Sequence, residues 1–171
     1  MREVLPEVWL RGPVDNIPAL LQPVAHALLQ ATEEINVAMH GFPSHLLWER
    51  PAGVASPGFH LLHIAGVLDR LCTYALGNQL NEQQLVYLKE ESRTHSFPVE
   101  ELVEKVERAV ELTLQQLKAT DEASLTEARK VGRKALPSTV QGLLFHAAEH
   151  TMRHLGQLLV TVKIIKENKP Y

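Results

Sequence analysis

The segment His146-Ala-Ala-Glu149-His150-Thr-Met-Arg153-His154 sets three imidazoles at successive steps of four residues. On an α-helix each such step advances about 40° around the axis, so the three rings share one stripe. Two histidines four apart on a helix can grip a single metal ion. Three cannot, because His146 and His154 are about 12 Å apart along the axis and a metal–imidazole bond spans only about 2.0–2.1 Å. The pair is therefore either 146/150 or 150/154. A further ligand can come from an earlier segment, where His60 and His63 stand at i, i+3. Arg70 lies two turns beyond His63 on the same stripe. Cys72, nine residues past His63, points the opposite way, which marks it as a core thiol rather than a ligand.

A less specific reading competes with this one. Histidine on an apolar helix is more often packed than ligating. Positions 144, 148, 155, 159 and 162 make one apolar stripe, and Leu143 and Ile164 extend the histidine side. A helix covered on two sides suits the centre of a bundle or a contact between two copies of the chain. His146-Ala-Ala-Glu149-His150 also satisfies H-x-x-E-H, the inverted zincin pattern. That architecture belongs to much larger proteases, and 171 residues leave little room for it. There is no G-x-S-x-G, no phosphate-binding loop of the G-x-x-x-x-G-K-[ST] type and no G-x-G-x-x-G.

The elements that would position these residues are helices. A first helix is expected from about Asn16 to Met39, capped by Asp15 or Asn16, with Pro18 in its first turn, Pro23 kinking its start, and Gly41 and Pro43 ending it. A loop over 41–56 carries Trp48. Ser56-Pro57 then reads as an N-cap followed by proline at the first helical position, opening a second helix to about Gly77. A short helical piece spans 82–91. A third long helix covers about Pro98 to Ala119, with Leu102, Val103, Val106, Val110, Leu114 and Leu117 on the 3.6-residue period. Residues 120–137 form a charged connection. The last helix opens at Ser138, with Gln141 in a capping-box position, and runs to about Glu167. No strand is expected. The prediction is a single all-α domain over 1–171, a four-helix bundle with a short extra helix and an extended N-terminal arm over 1–15.

Composition agrees with one globular domain. Hydrophobic residues make up 45% and charged residues 22%, and the net charge is −3. No basic patch is evident, which argues against nucleic acid or an anionic membrane surface as partner. No apolar run reaches the roughly 18–20 residues of a membrane span. Met1 to Asp15 does not read as a signal peptide, and the single cysteine allows no internal disulfide, so a cytoplasmic location is expected.

Three segments carry a resemblance: Leu47-Trp48-Glu49-Arg50-Pro51-Ala52-Gly53, Phe59-His60-Leu61-Leu62-His63-Ile64-Ala65-Gly66, and His150-Thr-Met-Arg-His154-Leu-Gly156-Gln157. In order, spacing and helical setting they resemble the DinB/YfiT-like superfamily of metal-binding proteins, over about residues 16–165. The resemblance implies a four-helix bundle, often a homodimer, with a divalent metal, zinc or nickel, on three side chains. It assigns His63, His150 and His154 as the ligands and so selects 150/154 over 146/150. His60, His146, Arg70 and Gln157 become candidates to orient a ligand or to face a small-molecule substrate, with Arg153 another nearby cation. Some relatives use low-molecular-weight thiols as transferases or isomerases. The implied activity is therefore S-transfer or hydrolysis, through a thiol or water on the metal. The alternative is a non-catalytic, metal-binding helical dimer.

Overall fold

The computed structural model describes residues 5–168. Four long helices make the bundle: α1 (Gln22–Met39), α2 (Pro57–Ala75), α4 (Val99–Ala119) and α5 (Val140–Asn168). A short helix, α3 (Glu82–Glu90), lies against α2. A small antiparallel hairpin, β1 (Ala128–Val131) with β2 (Leu136–Thr139), precedes α5. Each of α1 and α2 packs on both α4 and α5. The helices therefore form a ring in which α2 and α5, the two histidine-bearing helices, are neighbours. The fold is all-α apart from the hairpin. No helix among the described residues is long and apolar enough to cross a membrane.

The sequence explains the main elements. Ser56 caps α2, its hydroxyl accepting from the Phe59 amide at 3.3 Å, with Pro57 in the first turn. α4 is amphipathic, with Leu102, Val103, Val106, Val110 and Leu117 buried and its glutamates outward. α2 is buried almost all round, because α4, α5 and α3 each cover one side of it. The 41–56 loop closes over its start. The Gly58 amide donates to Leu47 O at 2.7 Å, and the Trp48 ring lies where a Cβ on Gly58 would stand.

Three expectations about boundaries need correction. α1 starts at Gln22, not Asn16, because Asn16 takes a left-handed φ of 61°. The Gln22 side chain clasps the preceding turn instead, accepting from the Val14 amide at 2.8 Å and donating to Val14 O and Ile17 O at 2.9 Å. Pro23 consequently falls in the first turn, where it is tolerated. The connection over 120–137 contains strand structure, which was not expected. Pro137 stands opposite Lys130, and a two-stranded ribbon has only edges, so the missing proline N–H is tolerated there. Arg129 ties the hairpin to α2 through Ala75 O at 2.8 Å. α5 therefore begins at Val140, and its cap is Thr139, whose hydroxyl accepts from the Gly142 amide at 3.0 Å, in place of a Ser138–Gln141 box.

Residues 1–4 of the expected N-terminal arm lie outside the described residues. The remainder carries a short 3-10 turn at Val8–Leu10 and is pinned along α1. The Val8 amide donates to Gln30 Oε1 at 2.9 Å, and Arg11 pairs with Glu33 at 2.6 Å.

Candidate metal centre

α2 and α5 bring His63, His150 and His154 together. One ligand nitrogen from each lies within 4.8 Å of the others. The ring centroids are 4.5 Å apart for His63 and His154, 4.6 Å for His150 and His154, and 5.2 Å for His63 and His150. His63 Nε2 faces His150 Nε2 at 3.0 Å. Two nitrogens on one tetrahedral ion with bonds of about 2.0–2.1 Å would stand only a few tenths of an ångström further apart.

The ring nitrogens turned away from this meeting point fix the tautomer of His63 and leave those of His154 and His150 open. His63 Nδ1 lies 2.8 Å from Glu91 Oε2. An ionised carboxylate only accepts, so His63 donates from Nδ1 and, as a neutral ring, keeps a lone pair on Nε2. His154 Nδ1 lies 3.0 Å from His60 Nδ1. One of these donates to the other, and if it is His154, its Nε2 also carries a lone pair. His150 Nδ1 is buried and has no hydrogen-bond partner. If His150 Nε2–H donates to His63, that buried Nδ1 is an acceptor left unsatisfied. If Nε2 instead carries the lone pair, two lone pairs oppose each other across 3.0 Å. A cation between the rings relieves that repulsion, so the donor set fits a divalent metal.

The electrostatics favour neutral rings. Burial, then the His63 charge, lowers the His60 pKa to about 4. Burial lowers that of His154 to about 3, assisted by His63, His150, His60 and Arg153. His150 is lowered by burial first, then by His63, His146 and Arg153. Metal binding requires deprotonated imidazole, and these rings are already in that form at neutral pH. The Phe59 ring stacks on His63 with centroids 5.1 Å apart and planes 13° apart, closing its other face.

The remaining candidates separate clearly. His60 is 2% exposed and backs His154. Arg70 is buried and paired with Glu91, so it does not face the cleft. His146 is exposed, with Nδ1 at 3.1 Å from Glu149 Oε2. Glu149 also pairs with Arg153; desolvation is the largest single influence and raises its carboxyl, but Arg153 and then His146 together outweigh it and hold the carboxyl below the usual range. His146, Glu149 and His150 form a second group with ligand atoms within 4.8 Å, but His146 is exposed. Gln157 is exposed three residues beyond His154. Cys72 lies apart from the histidines, partly buried, with its thiol donating to Thr113 Oγ1 at 3.5 Å. Burial pushes that thiol up to about 11, which leaves it protonated. It lines a groove of about 720 Å³ between α2, α3 and α4 that contains none of the histidines.

Glu91 is the site residue that sequence reasoning missed. It sits in Lys89-Glu90-Glu91-Ser92, which reads as solvated surface. A pairing between an acid and the Arg70 of the His63 stripe was the available signal.

A family model for the DinB superfamily matches residues 23–158. The chain belongs to the DinB superfamily. No curated protein matches it. The DinB match covers all three histidines, nearly all of α1, all of α2 and α4, and α5 as far as Leu158, so the family's association with metals and the donor geometry bear on the same residues.

Proposed function

We propose that this DinB-superfamily chain is a divalent-metal-dependent enzyme whose ion is held by His63, His150 and His154. The observation that carries the reading is the unrelieved meeting of His63 Nε2 and His150 Nε2, with His154 completing the set. Neutral imidazoles suit zinc or nickel better than magnesium or calcium, which prefer oxygen. Three protein ligands leave a position open, and a bound ion there would lower the pKa of a water or low-molecular-weight thiol, or polarise a carbonyl.

The chain's own residues support the water-using version best. A thiol cofactor bearing carboxylates needs free cations near the ion, and Arg70 is committed to Glu91. On the exposed side, His146 donates from Nδ1 to Glu149, which leaves Nε2 able to take a proton from a substrate. Phe59 excludes water from one face of His63. Hydrolysis of a small substrate is therefore the favoured reaction class, and S-transfer the second. The non-catalytic alternative keeps the same three ligands and dispenses with the rim.

The test is metal analysis of protein purified without a histidine tag. About one ion per chain is expected. Alanine at His63, His150 or His154 should each reduce that content sharply, and alanine at His26, His40, His95 or His146 should not. Loss of metal in His146→Ala with retention in His154→Ala would move the site to the 146/150 pair. Wild-type protein that never binds zinc or nickel would end the reading.

The same reading makes the protein a homodimer. Phe145 is 61% and Val160 60% exposed on the outer side of α5, with Ile164 beside them. That is apolar surface beyond the stripe a single core requires. Light scattering should give about twice the 19.2 kDa chain mass, and a mass near one chain at micromolar concentration would refute it.

A further inference from the structure

The pairing that fixes the His63 tautomer involves more than one residue. Glu91 is 3% exposed and Arg70 8%, both deep beside α2. The two carboxylate oxygens are divided: Oε1 accepts from Arg70 Nη1, and Oε2 from His63 Nδ1 at 2.8 Å. Arg70 and His63 are two turns apart on one stripe of α2, and Glu91 closes across both from the end of α3.

The neighbouring sequence is arranged to put it there. Asn81 and Gln84 make a reciprocal capping box that starts α3. Gln84 also donates to Asp69 Oδ2 at 2.9 Å and to Thr73 Oγ1 at 2.7 Å, which fastens that helix to α2. Tyr87, one turn before Glu91, donates to Leu62 O at 3.1 Å. Gly66 lies between His63 and Arg70. A Cβ there would collide with Glu91 Oε1 and stand 2.6 Å from Arg70 Nη1 and 2.7 Å from the Tyr87 ring. The missing side chain makes room for the carboxylate.

We propose that Glu91 is a positioning residue for the metal ligand His63, braced by Arg70 and admitted by Gly66; the role as written rests on the reading of His63 as a ligand. A buried carboxylate is costly without compensation, and Arg70 supplies the opposite charge. Stapling α3 to α2 needs only that ion pair. The second oxygen does something further: it holds the His63 proton on Nδ1 and so directs the Nε2 lone pair to the meeting point with His150. The other two rings lack an equivalent. His154 is backed by His60, a neutral ring at neutral pH, and His150 Nδ1 has no partner. His63 is thus the one ring of the three backed by a carboxylate, which makes it the most firmly aimed of the set.

Glu91→Gln tests this, because the amide has a single acceptor. That oxygen must satisfy Arg70, which turns the NH2 toward His63 Nδ1 and drives the proton to Nε2. Nitrogen-15 spectra of the imidazoles in metal-free protein report the tautomer without any ion. Wild-type His63 should show protonated Nδ1, and Glu91→Gln should shift it to protonated Nε2. Zinc affinity, titrated against a competing chelator, should fall about 10–100-fold in the variant. The pair Arg70→Met with Glu91→Leu removes both charges together and serves where the single variant folds poorly; His63 should again lose its Nδ1–H form. A wild-type His63 already protonated on Nε2, or a tautomer unchanged in both variants, would reduce Glu91 to an interhelical staple. If wild-type protein binds no zinc, the metal reading fails, while the tautomer spectra still decide whether Glu91 orients His63.

Discussion

The two walls of the candidate centre are built differently. On the α2 wall, His63 is stacked on Phe59 and tied to a buried carboxylate, which is tied in turn to a buried guanidinium. On the α5 wall, His154 leans on another histidine, His150 has one buried nitrogen without a partner, and the flanking His146, Glu149 and Arg153 sit near solvent. The α2 wall is preset by charge. The α5 wall is held neutral by burial and stays adjustable at its rim. Under the proposed reading, an ion arriving at such a site would meet one fixed ligand and two whose tautomers can still adapt, and a substrate would approach from the adjustable side.

Acid should expose the contrast most strongly, through the α5 wall and His60. In the folded chain His60 is lowered to about 4, His154 to about 3, and His150 is lowered as well. In the unfolded chain all three titrate near their ordinary value of about 6.5. Below that pH the unfolded state takes up protons that the folded state refuses, so stability falls as pH drops. The loss begins near 6.5 and continues until the folded rings themselves protonate, near 4 and then 3. Above 6.5 these groups contribute no pH dependence. Urea unfolding of metal-free protein at pH 7.5 and pH 5 should give a clearly lower midpoint at pH 5. Equal midpoints would mean that the α5 rings are more open to water than their burial indicates.

How much of this was legible in the sequence follows the same division. The α5 stripe could be read directly, since i, i+4 spacing is a local property of one helix. That a histidine from another helix would meet it came from His63 in its Phe59-to-Gly66 setting and from the family resemblance, and the structure does bring the three rings together. The brace was not legible. Glu91 reaches His63 across 28 positions of sequence and through the docking of α3, and no periodicity encodes that approach. Arg70 was placed on the correct stripe, but its partner was invisible, so it looked available to a substrate. The hairpin was missed for a related reason. Its strands are four residues each, the first half charged and the second holding Pro137, and their pairing is set by the turn at Gly132 and by Arg129 reaching α2 rather than by an apolar pattern.

Two helix glycines sharpen the comparison, one on each wall. A glycine inside a helix normally costs about 1 kcal/mol relative to alanine. At Gly66 that cost has a structural return, since a Cβ would strike Glu91, Arg70 and Tyr87. Gly66→Ala should therefore destabilise the chain by about 1–3 kcal/mol, as overpacking does, and weaken zinc binding as well, because the carboxylate must move away from His63. On α5, a Cβ at Gly156 meets nothing within 4 Å. Gly156→Ala should recover the propensity term, a gain of about 0.5–1 kcal/mol in denaturant unfolding, with zinc affinity unchanged. This is the smallest effect of the set, yet it is informative in both directions. Gly156 lies on the same outer side of α5 as Phe145 and Val160. If alanine instead destabilises, and does so more as protein concentration rises, a second copy of the chain approaches the α5 backbone at that point. If the gain appears and is independent of concentration, any dimer contact is made by the large apolar side chains and leaves Gly156 clear.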